Sequence, residues 1–196
     1  MNNTLTIAKG QDYWIQNLQT RFYNIMSAKW NLTDNTWNSY GRVYVNRYKG
    51  NQDEGYIPEW FTNSGNEYSK DLFFNDTVTA NSFFVSLDPV KVSHGESLVN
   101  VQWLFFVNLA QMTVGGVPLN KQAGQRLDEL FVNDVENFIR INGTGNFTIK
   151  SILKRVDKVL DQFSGKIKKD ALTYDMQPLF CCRFDLTFIY NSFLNQ

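Results

Sequence analysis

The chain reads as an α+β fold, an antiparallel sheet packed against two to three helices with a long projecting loop. Three observations predict this. Apolar residues recur at helical spacing near the start and again past the middle. Several other stretches alternate strictly between apolar and polar. The strands also come in runs rather than in turn with helices, which separates α+β from α/β order. At 196 residues the chain is sized for a single domain, residues 1–196. A chain of this length buries about 70% of its unfolded surface, and a 43% hydrophobic composition with sixteen Phe can fill that core without metals or disulfides.

The first element is a helix over residues 12–29. Trp14, Leu18, Phe22, Ile25 and Met26 fall at spacings of three and four along one stripe, and Asp12 suits the positive end of the helix dipole. Residues 31–38 are rich in Asn, Thr and Asp and predict a loop. Residues 40–48 alternate, which places Tyr40, Arg42, Tyr44, Asn46 and Tyr48 on one strand face and Val43 and Val45 on the other. Residues 49–76 (an insertion of about 49–79) hold Pro58 and three glycines and show no period. So long a loop in a compact domain is commonly functional, and it is expected to project and make contacts.

Residues 82–87 form a short apolar strand. In 99–109, Val99, Val101, Trp103, Phe105, Val107 and Leu109 share one face. Leu104 and Phe106 make the opposite face apolar as well, which predicts a central strand or one covered on both sides. Helices are expected over 124–141, with Leu127, Leu130, Phe131, Val135, Phe138 and Ile139 on one stripe, and over 148–163, with Ile149, Ile152, Leu153, Val156, Val159, Leu160 and Phe163. Asn146 or Thr148 would cap the second of these and Gly165 would end it. The short linker between them predicts neighbouring helices. The last strand, 179–191, is the cleanest. Phe180, Cys182, Phe184, Leu186, Phe188 and Tyr190 point one way, and Cys181, Arg183, Asp185 and Thr187 the other. At this length it is expected to run through the middle of the sheet or past its edge.

No catalytic, cofactor-binding or metal-ligating residue is assigned from the sequence, and the chain is read as a non-enzyme. The single His94 sits in a Ser-His-Gly turn. Zinc sites need several Cys, His or acidic ligands at recurring spacings. Cys181 and Cys182 are adjacent, so on a strand they point to opposite faces, and both are read as reduced. Gly115–Gly116 and the Gly143/Gly145 pair lack the Lys and Ser/Thr of a phosphate-binding loop and read as turns. Asp53, Glu54 and Glu59 read as a polar loop, and Asp128, Glu129, Asp134 and Glu136 as a solvated helix face. Nineteen basic residues balance nineteen acidic ones, against a protein that grips nucleic acid by its phosphates. The most basic stretch, 150–170, with Lys150, Lys154, Arg155, Lys158, Lys166, Lys168 and Lys169, reads as a solvated helix face, the alternative being contact with DNA or an acidic partner. Trp30, Trp37, Trp60, Tyr40, Tyr44 and Tyr48 are read as exposed aromatics that serve a protein interface; the alternative is a carbohydrate-binding module using the Tyr40/Tyr44/Tyr48 face. The first ten residues lack the basic and apolar parts of a signal peptide, and no apolar run reaches a membrane span. The expectation is synthesis in the cytoplasm and no membrane partner. The Asn-x-Thr triplets at Asn2, Asn31, Asn75, Asn142 and Asn146 read as chance in an Asn-rich chain.

A leading helix, antiparallel strands, a helix in the latter half and a long terminal strand, Leu179-Phe180-Cys181-Cys182-Arg183-Phe184-Asp185-Leu186-Thr187-Phe188-Ile189-Tyr190, resemble the tail-completion and tail-terminator proteins of tailed bacteriophages. The Asn, Tyr, Phe and Lys-rich style is similar to virion proteins of crAss-like phages. The chain differs from that pattern by the extra helix at 148–163 and the long insertion. The resemblance implies a structural virion protein of the head–tail connector, or neck, without catalytic residues or cofactor. It would form a ring of identical subunits, about twelve or alternatively about six. The implied partners are the adjacent portal or adaptor and tail proteins, with genomic DNA passing through the channel without sequence-specific binding.

Overall fold

The computed structural model describes residues 8–33, 35–49, 54–61, 68–69, 78–114, 117–118, 126–143, 146–164 and 178–191. In chain order the elements are α1 (Gln11–Trp30), β1 (Trp37–Lys49), β2 (Glu54–Phe61), β3 (Tyr68–Ser69), β4 (Ala80–Ser93), β5 (Glu96–Asn108), a 3-10 turn at Leu109–Gln111, β6 (Thr113–Val114), β7 (Val117–Pro118), α2 (Leu127–Asn142), β8 (Phe147–Leu153), α3 (Val156–Val159) and β9 (Leu179–Asn191). Seven strands make one sheet in the order β3-β2-β1-β4-β5-β9-β8, and β6 with β7 forms a separate small hairpin. The fold is α+β. The sheet is mixed rather than wholly antiparallel as expected, because β1 pairs with β4 in parallel.

Alternation along β5 and β9 sorts their side chains onto two apolar layers. On the first face Val99, Val101, Trp103, Phe105 and Val107 of β5 meet Cys182, Phe184, Leu186 and Phe188 of β9 beneath α1 and α2. Phe22 of α1 is the hinge of this layer, with ring centroids 5.2 Å from Trp103 and 5.0 Å from Phe138 of α2. Lys29 at the end of α1 pairs with Asp134 of α2. On the second face Leu104 and Phe106 of β5, Phe83 and Val85 of β4 and Cys181 of β9 are covered by Val156, Val159, Leu160 and Phe163. The expectation of a central strand apolar on both sides therefore holds for β5. The helix α1 ends at Asn31, which takes a left-handed conformation (φ 50°), and its stripe is as predicted except that Ile25 is 45% exposed and Ile15 is buried in its place. For α2, Phe131, Val135, Phe138 and Ile139 are buried as expected, while residues 124–125 of that prediction lie outside the described ones.

Several expectations are corrected. Residues 148–163 are not a helix: β8 occupies 147–153 on the edge of the sheet, followed by a single helical turn, and Gly165 lies outside the described residues. A bulge explains the misreading. Ile149 opposes Leu186 and Ser151 opposes Asp185, so β8 carries an extra residue at Lys150. That residue puts Ile149 and Ile152, three apart, on the same face, which imitates helical spacing. The predicted projecting loop is in part the strand β2, antiparallel to β1; residues 50–53, 62–67 and 70–77 lie outside the described ones. Trp30 and Trp37 are core, not exposed. Tyr40 and Arg42 do not share a face, because β1 bulges between Ser39 and Arg42 at Gly41 (φ 68°).

Candidate functional site

The β1 bulge decides which side chains are offered to the surface at that end of the sheet. The Gly41 N–H donates to Oε1 of Gln19 in α1 at 3.0 Å. With one extra residue the alternation slips. Trp37 joins the first layer, whereas Tyr40 and Val43 join the second, where Tyr40 meets Trp60 edge-on at 5.1 Å. Burial pushes the Tyr40 phenol above its ordinary value of 10.0. Arg42 turns back to the first face and donates to both carboxylate oxygens of Asp12, at 2.7 and 2.8 Å. Its guanidinium also lies 5.5 Å from the Tyr44 ring centroid. The Tyr40/Tyr44/Tyr48 face is thus divided between Tyr40 and Tyr44, and the Tyr48 side chain lies outside the described ones. What remains exposed here is Tyr44 on β1, with Asn46 donating to Glu59 beside it, and Tyr56 on the opposite face of β2.

A second, unlike patch lies at the tip of the β4–β5 hairpin. Its two-residue turn has positive φ at His94 (51°) and Gly95 (84°), the geometry that suits tight hairpins, and His94 is exposed there as expected. β4 and β5 run on past the helices. There Val90 and Val92 (69% exposed) face solvent, as does Ile189 on β9, on the opposite face of the sheet from Val92. Beside Ile189 runs β8, the last strand of the sheet, whose side chains Thr148 and Lys150 are exposed. The sequence reading missed this patch. The signal was the break in the apolar pattern of β4, where the register shifts between Leu87 and Lys91.

The second face holds the most connected polar cluster. Arg183 of β9, with its side chain 5% exposed, faces the Asp161 carboxylate and donates to the carbonyl of Lys158 at 2.9 Å. Its Nε lies 2.9 Å from Asp185 Oδ1, an ion pair too poorly aligned to be a hydrogen bond. Asp185 in turn accepts from Ser151 of β8. Residues 154–164 thus leave the β8 edge, cross the second layer under Arg183 and reach the opposite edge of the sheet. There Ser164 N–H donates to the Tyr56 carbonyl at 3.1 Å, and the Tyr56 N–H donates to Ser164 Oγ at 2.9 Å. Gly55 permits that approach, since a Cβ would stand 2.6 Å from the Ser164 carbonyl oxygen.

The remaining candidates take structural places. Asp128 and Asp134 are buried, not solvated; Asp128 pairs with Arg126 and Asp134 with Lys29, while Glu136 pairs with Arg140 one helical turn on. Asp53 and the Glu54 side chain lie outside the described residues, as do Gly115, Gly116, Gly145, Lys166, Lys168 and Lys169. The residues flanking Gly115–Gly116 pair as β6 and β7. Lys150, Lys154, Arg155 and Lys158 are exposed, on an edge strand and a short turn instead of a helix face. Cys181 and Cys182 are buried thiols on opposite layers, and burial raises the Cys182 thiol well above its ordinary value. Among the described residues no group of three His, Cys, Asp or Glu could hold a metal, and no helix is long and apolar enough to cross a membrane. Comparison with protein-family models, curated proteins and solved structures finds no match to the chain.

Proposed function

We propose that the chain is a structural virion protein that forms a ring in the head-to-tail connector of a tailed phage, joining the portal side to the tail around the genome channel. The observation that carries this reading is that unlike side chains are exposed at two separate places on one sheet: Tyr44 and Tyr56, on opposite faces of β1–β2, and Val92 and Ile189, on opposite faces of the sheet near the β4–β5 tip. A closed ring of identical subunits needs two different patches that meet head to tail, and Tyr is among the side chains such interfaces enrich at their centres. The order of elements that resembles tail-completion proteins is retained as α1, β1–β5, α2 and the long β9. The extra helix that set the chain apart from them is instead a strand.

The test is assembly. The purified chain is measured by gel filtration with light scattering and by negative-stain imaging, alone and mixed with the portal, adaptor and tail proteins of the same virion. The expected result is a monomer alone and rings or co-assembly on mixing. Tyr56→Asp and Val92→Asp should each abolish assembly while leaving the melting temperature of the monomer within a few degrees. Absence of both rings and co-assembly in every mixture would overturn the reading.

A further inference from the structure

We propose that residues 154–164 act as a strap that opens as one unit from the second face of the sheet, while the α1/α2 layer on the first face stays closed. The strap has little structure of its own. It holds one helical turn, and its internal backbone bonds are local, Val159 N–H to Arg155 and Phe163 N–H to Leu160. Among the described residues its polar ties gather at two clips. One is Arg183, which gathers the Lys158 and Val159 carbonyls and the Asp161 carboxylate. The other is the pair of hydrogen bonds between Ser164 and the Tyr56 backbone on β2. Between them Val156, Val159, Leu160 and Phe163 cover Phe83, Val85, Leu104, Phe106 and Cys181.

The first face is built differently. There a helix of 20 residues and one of 16 are tied to each other by Lys29 and Asp134 and to the sheet by Asp12 with Arg42 and by Gln11 with Ser86. A short segment that holds a single helical turn and a small apolar cluster opens at lower free energy than long helices woven into the larger core. The sheet itself need not move when the strap lifts, because β4, β5 and β9 remain paired with each other. Opening then uncovers an apolar sheet face while the larger core stays shut. The strap is therefore a cover that keeps this face from other molecules until it is released. This inference stands apart from the ring reading and needs no partner.

The sequence supplies its own reporters. Cys181 lies under the strap and Cys182 under the helices, one residue apart in the chain. In Cys182→Ala and Cys181→Ala variants, each retaining one thiol, labelling by N-ethylmaleimide is followed by mass spectrometry across a low-urea range. The expected result is that Cys181 labels through a local opening nearly independent of urea, whereas Cys182 labels only with global unfolding. Ser164→Ala and Asp161→Ala should each raise the Cys181 rate about five- to tenfold, the loss of one hydrogen bond. The strap is also undone in the unfolded chain, so the Cys182 rate rises by a similar factor, and its steep urea dependence, absent for Cys181, separates the two. Hydrogen exchange on the unaltered protein gives the same comparison without substitution: the Leu160 and Phe163 amides should exchange faster than those of Phe22 and Met26 in α1. Equal rates and equal urea dependence for the two thiols, with equal protection of the two sets of amides, would overturn the proposal.

Discussion

Arg183 illustrates how one side chain can organise a layer. A charged residue in an apolar strand is stable only when its charge is met, and here Nη1 donates to the Lys158 carbonyl and the Asp161 carboxylate while Asp185 adds a second counter-charge. Arg183→Met keeps the volume but leaves Asp161 and Asp185 without their counter-charge. Because both carboxylates reach solvent (47% and 24% exposed), the expected loss is about 2–4 kcal/mol, at or below the usual range for breaking a buried pair, read from urea unfolding. Cys182 gives a prediction of a different kind. Its folded thiol titrates well above 9.0 because burial disfavours the thiolate. The unfolded chain therefore releases a proton first as pH rises. Stability is complete below the unfolded value and falls above about pH 9, by up to about 1.4 kcal/mol per pH unit for this group. Unfolding curves from pH 7 to 10 should show that slope reduced in Cys182→Ala, and an identical slope in the two proteins would refute it. The opposite placing of Cys181 and Cys182 was legible from alternation alone. The burial of Trp30 and Trp37 was not: Asn31, Thr33, Asp34, Asn35 and Thr36 between them have loop composition, and the chain folds both indoles inward against Phe131 and Phe22.

At the scale of elements, the bulges in β1 and β8 decide much of what could be read beforehand. Strands without one, β5 and β9, keep a period of two from end to end, so both of their faces were predicted correctly. β8 has an extra residue at Lys150 and β1 one near Gly41, and each converts a strand period into something else. In β8 the slip produces a spacing of three that a helix shares. In β1 it moves Tyr40 away from the face of Arg42 and so dissolves the aromatic stripe that alternation had suggested. Periodicity reports the local step along the chain, and only the partner strand reveals where a step was added. Deleting Lys150 would restore simple alternation, but it would swing Ile152 out of the first layer or Ile149 into the second. The expected result is loss of the cooperative transition or a drop of several kcal/mol, since burying the wrong face undoes a register. Gly41 is a milder test. A Cβ there meets nothing within 4 Å, so Gly41→Ala should cost only the left-handed backbone, about 1–2 kcal/mol, and Gly41→Asn less. Thermal melts of the two variants separate backbone strain from packing.

The whole molecule depends on a strand that follows both of its neighbours in the chain and is placed between them. β9 lies between β5 and β8. It supplies Phe184, Leu186 and Phe188 to the first layer, Cys181 to the second, and Arg183 to the clip over residues 158–161. Pairing β5 with β9, as between Val99 and Phe188, closes a long stretch of chain, and such distant contacts form slowly because the loop entropy comes first. The order of synthesis and the order of the sheet are therefore at odds. Until β9 arrives, β8 has no neighbour and β5 exposes an apolar edge and two apolar faces, a state prone to pair with other chains. A chain ending at residue 178 should thus show no cooperative unfolding, bind hydrophobic dyes and elute as aggregates, although it retains both long helices. Supplying residues 179–196 as a separate peptide should restore a cooperative transition in proportion to peptide concentration, because β9 docks by backbone ladders on both sides. A truncated chain that unfolds cooperatively by itself would show instead that α1, α2 and β1–β5 form an independent core, and that β9 only completes it.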